Sequence, residues 1–207
     1  MKLSKKKLFI TLGVLVLILM IFIVIGVISF HYIVLKMASS PSSAYGLKDV
    51  FYYSPEMLTK NIIQNAFEDE DEAPYVKARL LSSVAEEVYL NKEPDWLEPL
   101  LEDALCSNDY DLKKTSLRIY MKRKRVTPDS VEKRLWELFK NKDEDYLIRE
   151  MAGLLLSKLY FNDKGKAKII FSIFKELSTK AKLSYTISLN NKGELMLSPP
   201  KILLEDE

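Results

Sequence analysis

The stretch KDEDYLIREMAGLLLSKLY, residues 142–160, decides the fold because similar stretches occur twice earlier in the chain. It begins with acidic residues and then places an apolar side chain at every third or fourth position, which is the period of an amphipathic helix. The earlier stretches begin at Asp71 (DEAPYVKARLLSSVAEEV) and at Asn108 (NDYDLKKTSLRIYMKR). The sequence therefore predicts three copies of one helical unit.

In each copy an acidic or polar lead-in precedes an aliphatic residue that a base follows. These pairs are Val76-Lys77, Leu112-Lys113 and Ile148-Arg149, so the copies are 36 residues apart. Steps of four residues add two further positions on the same helix face. Those positions hold Leu80 and Val84, Ser116 and Tyr120, and Ala152 and Leu156. The lead-in acids are expected to cap the helices: Asp71 or Glu72, Asp109 or Asp111, and Asp143 or Asp145.

A second set of apolar stripes lies between the copies, in residues 94–105, 128–139 and 166–177. An earlier helix, residues 55–67, is predicted to start with Ser54 as N-cap and Pro55 in the first turn. Helices that alternate with a fixed period predict a short α-solenoid of helical hairpins.

The order of acid, aliphatic residue, base and small residue resembles the second helix of a HEAT-like repeat. The best copy has Asp143, Ile148, Arg149 and Ala152 at these positions. The resemblance covers residues 55–180. It implies an extended surface that binds other proteins.

The N-terminal region predicts a membrane anchor. Residues 8–35 contain no Asp, Glu, Lys or Arg, and a helix needs roughly 20 apolar residues to cross a bilayer core. Four lysines precede this run and only Lys36 follows it closely, which places the N-terminus in the cytoplasm and the remaining chain outside it. The alternative is a cleaved signal peptide with a cleavage site at SSA, residues 42–44. Its apolar region would be about 7–15 residues, shorter than this run.

The expected domains are a transmembrane anchor (1–36), a linker (37–53), the HEAT-like repeat domain (54–181) and a β-hairpin with the C-terminal tail (182–207). In LSYTISL, residues 183–189, apolar and polar residues alternate as in a half-buried strand. NNKG supplies a turn and ELMLS a returning strand. The fold class is thus all-α, with a small hairpin that packs on the last helices or on a partner.

Few residues suggest catalysis. The single histidine, His31, lies in the apolar run, and Cys106 is predicted to be a buried small side chain. The chain has no glycine-rich phosphate loop and no His/Cys cluster for zinc. We therefore expect no enzymatic activity, no cofactor and no metal. The lack of disulfides and of glycosylation sequons favours a bacterial cell membrane.

Charge is divided along the chain. Residues 56–109 contain 14 acidic and 4 basic residues, whereas residues 110–182 contain 10 acidic and 19 basic residues. Two partner-binding surfaces are predicted: a basic one formed by Arg118, Lys122, Arg123, Lys124 and Arg125, and an acidic one formed by Glu68, Asp69, Glu70, Asp71 and Glu72. For each surface the alternative is a solvated helix end or turn.

The predicted function is a membrane-anchored interaction or assembly subunit whose partners are proteins of a membrane or envelope complex. Residues 8–35 contact the lipid bilayer, nucleic acid is not expected, and self-association between the oppositely charged ends remains open. One alternative is an accessory subunit of an envelope enzyme. Another is a cytoplasm-facing adaptor that binds anionic lipid or nucleic acid through its basic half.

Overall fold

The computed structural model of the protein describes residues 5–40, 46–88, 94–123, 127–179, 186–190 and 192–198. In these residues the chain forms nine α-helices, one π-helical segment and an antiparallel β-hairpin, which confirms the predicted all-α class with a small C-terminal hairpin. The helices are α1 (Lys5–Ser39), α2 (Leu47–Tyr53), α3 (Glu56–Glu68), α4 (Pro74–Ser82), α5 (Leu97–Cys106), α6 (Tyr110–Lys122), α7 (Asp129–Lys140), α8 (Tyr146–Leu159) and α9 (Lys164–Ser178). The π-helical segment is Ser83–Val88, and the strands are β1 (Thr186–Leu189) and β2 (Leu195–Ser198).

The chain divides into two compact units, Met1–Ser83 and Val84–Glu207. The division falls inside the predicted repeat domain, residues 54–181. The first unit contains α1 to α4, and the second contains α5 to α9 and the hairpin.

The first unit differs from the prediction at the linker, residues 37–53. Helix α1 continues past the apolar run to Ser39, and the last seven residues of the predicted linker form α2. Leu47 and Phe51 lie one turn apart in α2, and both are buried. Burial of this short apolar stripe stabilises a helix that is too brief to form by itself.

Ser54 was wrongly predicted to begin α3. It ends α2 instead, where its hydroxyl donates a hydrogen bond to the carbonyl oxygen of Val50 at 2.6 Å. Helix α3 starts after Pro55, which occupies the N-cap position without a side-chain bond. The error arose because the preceding helix was not recognised in the sequence.

Acidic residues cap two of the three repeated helices, as predicted. Asp109 accepts a hydrogen bond from the backbone amide of Leu112 at 3.0 Å at the start of α6. Asp145 accepts bonds from the amides of Leu147 and Ile148 at 2.8 and 3.4 Å at the start of α8. Each carboxylate satisfies amide groups that have no partner within the helix.

The first copy begins differently. The N-cap of α4 is Ala73, which makes no side-chain bond, and Pro74 follows it at the first helical position. Neither Asp71 nor Glu72 is therefore the N-cap of this helix. Helix α9 has a capping residue, Asp163, that the sequence analysis missed.

The nine side chains that the repeat places on one face are all buried. They are Val76, Leu80 and Val84, then Leu112, Ser116 and Tyr120, then Ile148, Ala152 and Leu156. Within the second unit α5 packs on α6 and α7 packs on α8, and the two hairpins stack with α6 against α8 and α5 against α7. Helices that are two apart in chain order thus pack against each other.

The base of the repeat reaches the end of a preceding helix in two copies. The Lys77 ammonium donates to the carbonyl oxygens of Phe67 and Asp69 at 3.4 and 2.7 Å, at the end of α3. Arg149 donates from Nε to the carbonyl oxygen of Phe139 at 3.2 Å, near the end of α7. A cation in this position satisfies terminal carbonyls and complements the negative end of the helix dipole.

Helix α6 has Ser116 and Tyr120 at positions where the other two stretches have apolar side chains, and these polar groups and the base of α6 have partners. The hydroxyl of Ser116 donates to the carbonyl oxygen of Leu101 in α5 at 2.7 Å. The ammonium of Lys113 lies 2.6 Å from the carboxylate of Glu144, in the turn before α8. These polar side chains of α6 are thus bonded to neighbouring parts of the second unit.

The C-terminal hairpin forms as predicted, although residues 182–185 lie outside the described part of the chain. Strands β1 and β2 pair antiparallel, and Gly193 adopts a φ of +79° in the turn, which glycine tolerates without strain. The side chain of Asn190 accepts two backbone amide hydrogen bonds in this turn, each 2.9 Å long. The hairpin packs on α9 through β1 and buries Leu195.

Candidate functional site

The predicted basic surface includes the last two turns of α6. Arg118 and Lys122 lie one turn apart there, and both are exposed. Lys124 and Arg125 lie outside the residues that the structure describes. The described part of this surface therefore depends on Arg118, Lys122 and the residue that follows α6, Arg123.

Arg123 turns toward the interior of the second unit. Its Nη2 lies 2.5 Å from a carboxylate oxygen of Glu98 in α5, and its Nη1 donates to the other oxygen at 3.3 Å. The guanidinium carbon also lies 4.8 Å from the centre of the Tyr120 ring. Only 5% of the Arg123 side chain is exposed, so its charge is engaged inside the protein rather than presented to a partner.

Tyr120 completes this network by donating its hydroxyl hydrogen to Glu98 at 2.7 Å. Burial, followed by the hydrogen bond and the negative charge of Glu98, raises the pKa of Tyr120 above its ordinary value of 10.0. The three side chains connect α5 to the end of α6. They fix the position of the helix that carries Arg118 and Lys122.

A groove of about 220 Å³ lies between α6 and α8. It is lined by Arg118, Met121 and Lys122 of α6, and by Leu147, Glu150, Met151 and Leu154 of α8. The four apolar residues are Met121 of α6 and Leu147, Met151 and Leu154 of α8. Two residues of the predicted basic surface thus border an apolar groove, which we call the α6/α8 groove.

The α6/α8 groove was not predicted, although the sequence contains a signal for it. Leu147, Met151 and Leu154 follow helical spacing and form a second apolar stripe on α8, beside the stripe of Ile148, Ala152 and Leu156. A helix that is apolar on more than one face must bury the additional face or use it for binding. The end of α6 is tied to α8 at this groove, because Lys158 donates to the carbonyl oxygen of Met121 at 2.7 Å.

The predicted acidic surface, residues 68–72, forms the end of α3 and the turn before α4. The Asp69 carboxylate accepts a bond from the amide of Asp71 at 3.0 Å, and that of Glu72 accepts one from the amide of Ala73 at 3.1 Å. These two carboxylates stabilise the turn itself. Glu68, Glu70 and Asp71 are also exposed.

A second concavity, of about 690 Å³, lies between α7 and α9 and was not predicted. The ammonium of Lys140 lies 5.0 Å from the Trp136 ring centre, and that of Lys166 lies 3.6 Å from the Tyr160 ring centre. A hydrogen bond with Tyr160 is the main cause that raises the pKa of Lys166. Both rings are therefore already paired with lysines of the protein itself, in cation–π contacts.

Cys106 was wrongly predicted to be buried, since its side chain is exposed. The buried stripe of α5 contains Leu101 and Leu105. The next residue lies about 100° further around the helix, beyond the stripe. Among the residues that the structure describes, no three histidine, cysteine, aspartate or glutamate side chains are grouped as metal ligands would be.

In comparisons with known proteins, no family model matches the chain, and no curated protein or solved structure is detectably similar to it.

Proposed function

We propose that this is a single-pass membrane protein whose HEAT-like repeat domain binds other proteins, as an interaction or assembly subunit rather than an enzyme. The α6/α8 groove, with Arg118 and Lys122 at its border, is the observation that carries the proposal. The partner is an acidic, amphipathic segment of another membrane or envelope protein.

Helix α1 is the proposed membrane anchor. Gly13–Ser39 is a helical segment of 27 residues that is long and apolar enough to cross a membrane. Its large apolar side chains from Val14 to Ile28 are exposed, which suits contact with lipid rather than water. The excess of lysine before the segment supports a cytoplasmic N-terminus and an extracytoplasmic domain, as in a bacterial cell membrane.

The size and lining of the α6/α8 groove favour a peptide segment as its occupant. Its volume of about 220 Å³ is below the range of about 300–1,000 Å³ that is usual for small-molecule sites. Met121 and Met151 have flexible side chains that adapt to apolar groups of different shape. Arg118 and Lys122 complement carboxylates beside those apolar groups, so an acidic amphipathic helix laid in the groove matches both features.

The proposal can be tested by photo-crosslinking in intact cells. A photoreactive amino acid at position 151, in the groove, should give a discrete crosslinked protein product. The same amino acid at position 169 is the matched control, because Ile169 is an apolar residue of α9 whose surface is about half exposed. Equal yields of the same product from both positions would contradict binding in the groove.

Charge reversal adds a second control. Arg118→Glu with Lys122→Glu should reduce the yield from position 151 by about tenfold, since two attractive contacts become repulsive. Lys164→Glu with Lys168→Glu changes the net charge equally at two exposed positions of α9 and should leave the yield unchanged. If the two double variants behave alike, the basic border of the groove does not select the partner.

Glu68, Glu70 and Asp71 support a second, acidic contact on the first unit, and opposite charges support self-association as a further mode of binding.

The alternative function is a cytoplasm-facing adaptor for anionic lipid or nucleic acid. Protease added outside intact spheroplasts should digest the repeat domain if it is extracytoplasmic. Protection of the domain, with digestion restored by detergent, would favour the adaptor. An accessory role in an envelope enzyme would be indicated if the crosslinked protein is an enzyme.

A further inference from the structure

The end of α1 is part of the first unit rather than a free tether. Val34 and Ala38 are fully buried, and α4 packs against α1. The guanidinium of Arg79 in α4 donates to the carbonyl oxygen of Ala38 at 2.8 Å, which satisfies one of the last carbonyls of α1. The apolar helix and the first unit therefore form one packed structure.

If α1 is the anchor proposed above, its length determines how deep in the bilayer the contact between α1 and α4 lies. At 1.5 Å per residue, the apolar run of α1, residues 8–35, spans about 42 Å. A bilayer measures about 30 Å across its hydrocarbon core and about 40–45 Å with its head groups. The segment from Val34 to Ser39 consequently lies near head-group depth. The parts of α2 and α4 that pack on it lie at the membrane surface.

Exposed apolar side chains lie next to this level, in the last turn of α2 and the first turn of α3. Tyr52, Tyr53 and Met57 are 69%, 83% and 74% exposed, and the two tyrosine rings meet edge to face with their centres 5.1 Å apart. A Cβ atom on Gly46 would lie 3.1 Å from Cε of Met37, so α2 begins beside the end of α1. Seven helical residues extend only about 10 Å, which keeps both tyrosines close to that end.

We propose that Tyr52, Tyr53 and Met57 form a membrane-contact patch that lies in the head-group region of the bilayer. Tyrosine suits this region because its ring is apolar and its hydroxyl can bond to water or head groups. Tyr32, which is 65% exposed near the outer end of the apolar run, places another aromatic ring at this side. The patch fixes the first unit against the lipid surface, in addition to the anchoring by α1.

The test uses the full chain in lipid vesicles with one fluorescent label at a time. Cys106→Ser removes the native cysteine, and Tyr53→Cys, Val24→Cys or Glu70→Cys then provides a single labelling site. Glu70 is the control position because it follows the far end of α3, whose axis extends about 17 Å from Met57 to Glu68. Quenching is measured with iodide in water, with a nitroxide near the head group, and with a nitroxide deep in the acyl chains.

The label at position 53 should be quenched by the head-group nitroxide about threefold more strongly than the label at position 70, and iodide should give the reverse order. Equal quenching at both positions would overturn the membrane-contact patch. So would protection of position 53 from iodide without quenching by lipid, which would indicate cover by protein. Position 24 tests the anchor separately: quenching there by the deep nitroxide supports anchoring by α1. If position 24 is open to iodide, the anchor fails, and with it the reason to place the patch in lipid.

Discussion

Helices α6 and α8 have matching face positions 36 residues apart in the sequence, yet they fill that face in different ways. In α8 the face is apolar throughout, with Ile148, Ala152 and Leu156. In α6 the last two positions hold Ser116 and Tyr120, which are equally buried. Both polar side chains bond to α5, one to the carbonyl oxygen of Leu101 and the other to Glu98.

Burial on this face therefore depends on the position along the helix, whereas the chemistry at each position depends on the neighbouring helix. A buried hydroxyl without a partner costs about 1–3 kcal/mol. In α6 each hydroxyl avoids that cost because α5 supplies an acceptor. The two helices also differ at the position after Ser116 and Ala152, where α6 has the buried Leu117 and α8 has Gly153. The rings of Phe139 and Phe174 occupy the space beside that glycine.

The largest loss of stability is expected from removing Glu98, the carboxylate of α5 that accepts the hydrogen bond from Tyr120 of α6. Glu98→Ala would leave the guanidinium of Arg123 and the hydroxyl of Tyr120 without their carboxylate partner, and should lower the free energy of unfolding by about 3 kcal/mol. Urea unfolding followed by circular dichroism measures the change. Glu137→Ala is the matched control, because its ion pair with Arg134 is more exposed and should contribute below about 1 kcal/mol. Equal losses in the two variants would show that the network is not stabilising.

A smaller loss of stability is expected when Gly153 of α8 is replaced by leucine, the residue that α6 has at the matching position, Leu117. A Cβ at position 153 would lie 2.5 Å from Cζ of Phe174 and 2.6 Å from Cε2 of Phe139. Gly153→Leu should therefore cost about 2 kcal/mol through overpacking, again by urea unfolding. In the exposed first turn of α9, Gly165→Leu makes the same change and should be neutral or slightly stabilising. If Gly153→Leu is also neutral, α8 is not tightly packed against the rings of Phe139 and Phe174.

The smallest effect appears only at high pH. Because the pKa of Tyr120 is raised above 10.0 in the folded state, folding favours the protonated hydroxyl. Its contribution is fully present below pH 10 and is lost as pH rises, by at most about 1.4 kcal/mol per pH unit. Unfolding free energies measured between pH 9 and pH 11 should therefore fall more steeply for the native chain than for Tyr120→Phe. Identical slopes would mean that Tyr120 titrates normally in the folded protein.

Much of the fold could be predicted because its signals are local. The capping by Asp109 and Asp145 depends on amides two or three residues away, and the hairpin turn depends on Gly193 and its neighbours. Helix α2 was missed because its stripe has only two buried residues, Leu47 and Phe51, and its stability comes from packing. The α6/α8 groove was missed because it exists only where α6 and α8 meet.

The sequence alone determined the helical period, the capped starts of α6 and α8, the C-terminal hairpin and a helix apolar enough for a membrane, since each depends on residues close together in the chain. Tertiary structure decided that Arg123 turns inward and that the end of α1 is packed into the first unit. The reason is physical: Arg123 pairs with Glu98, 25 residues away, and Arg79 caps the carbonyl of Ala38, 41 residues away. Contacts at such separations become favourable only after the helices have packed, so no local pattern encodes them.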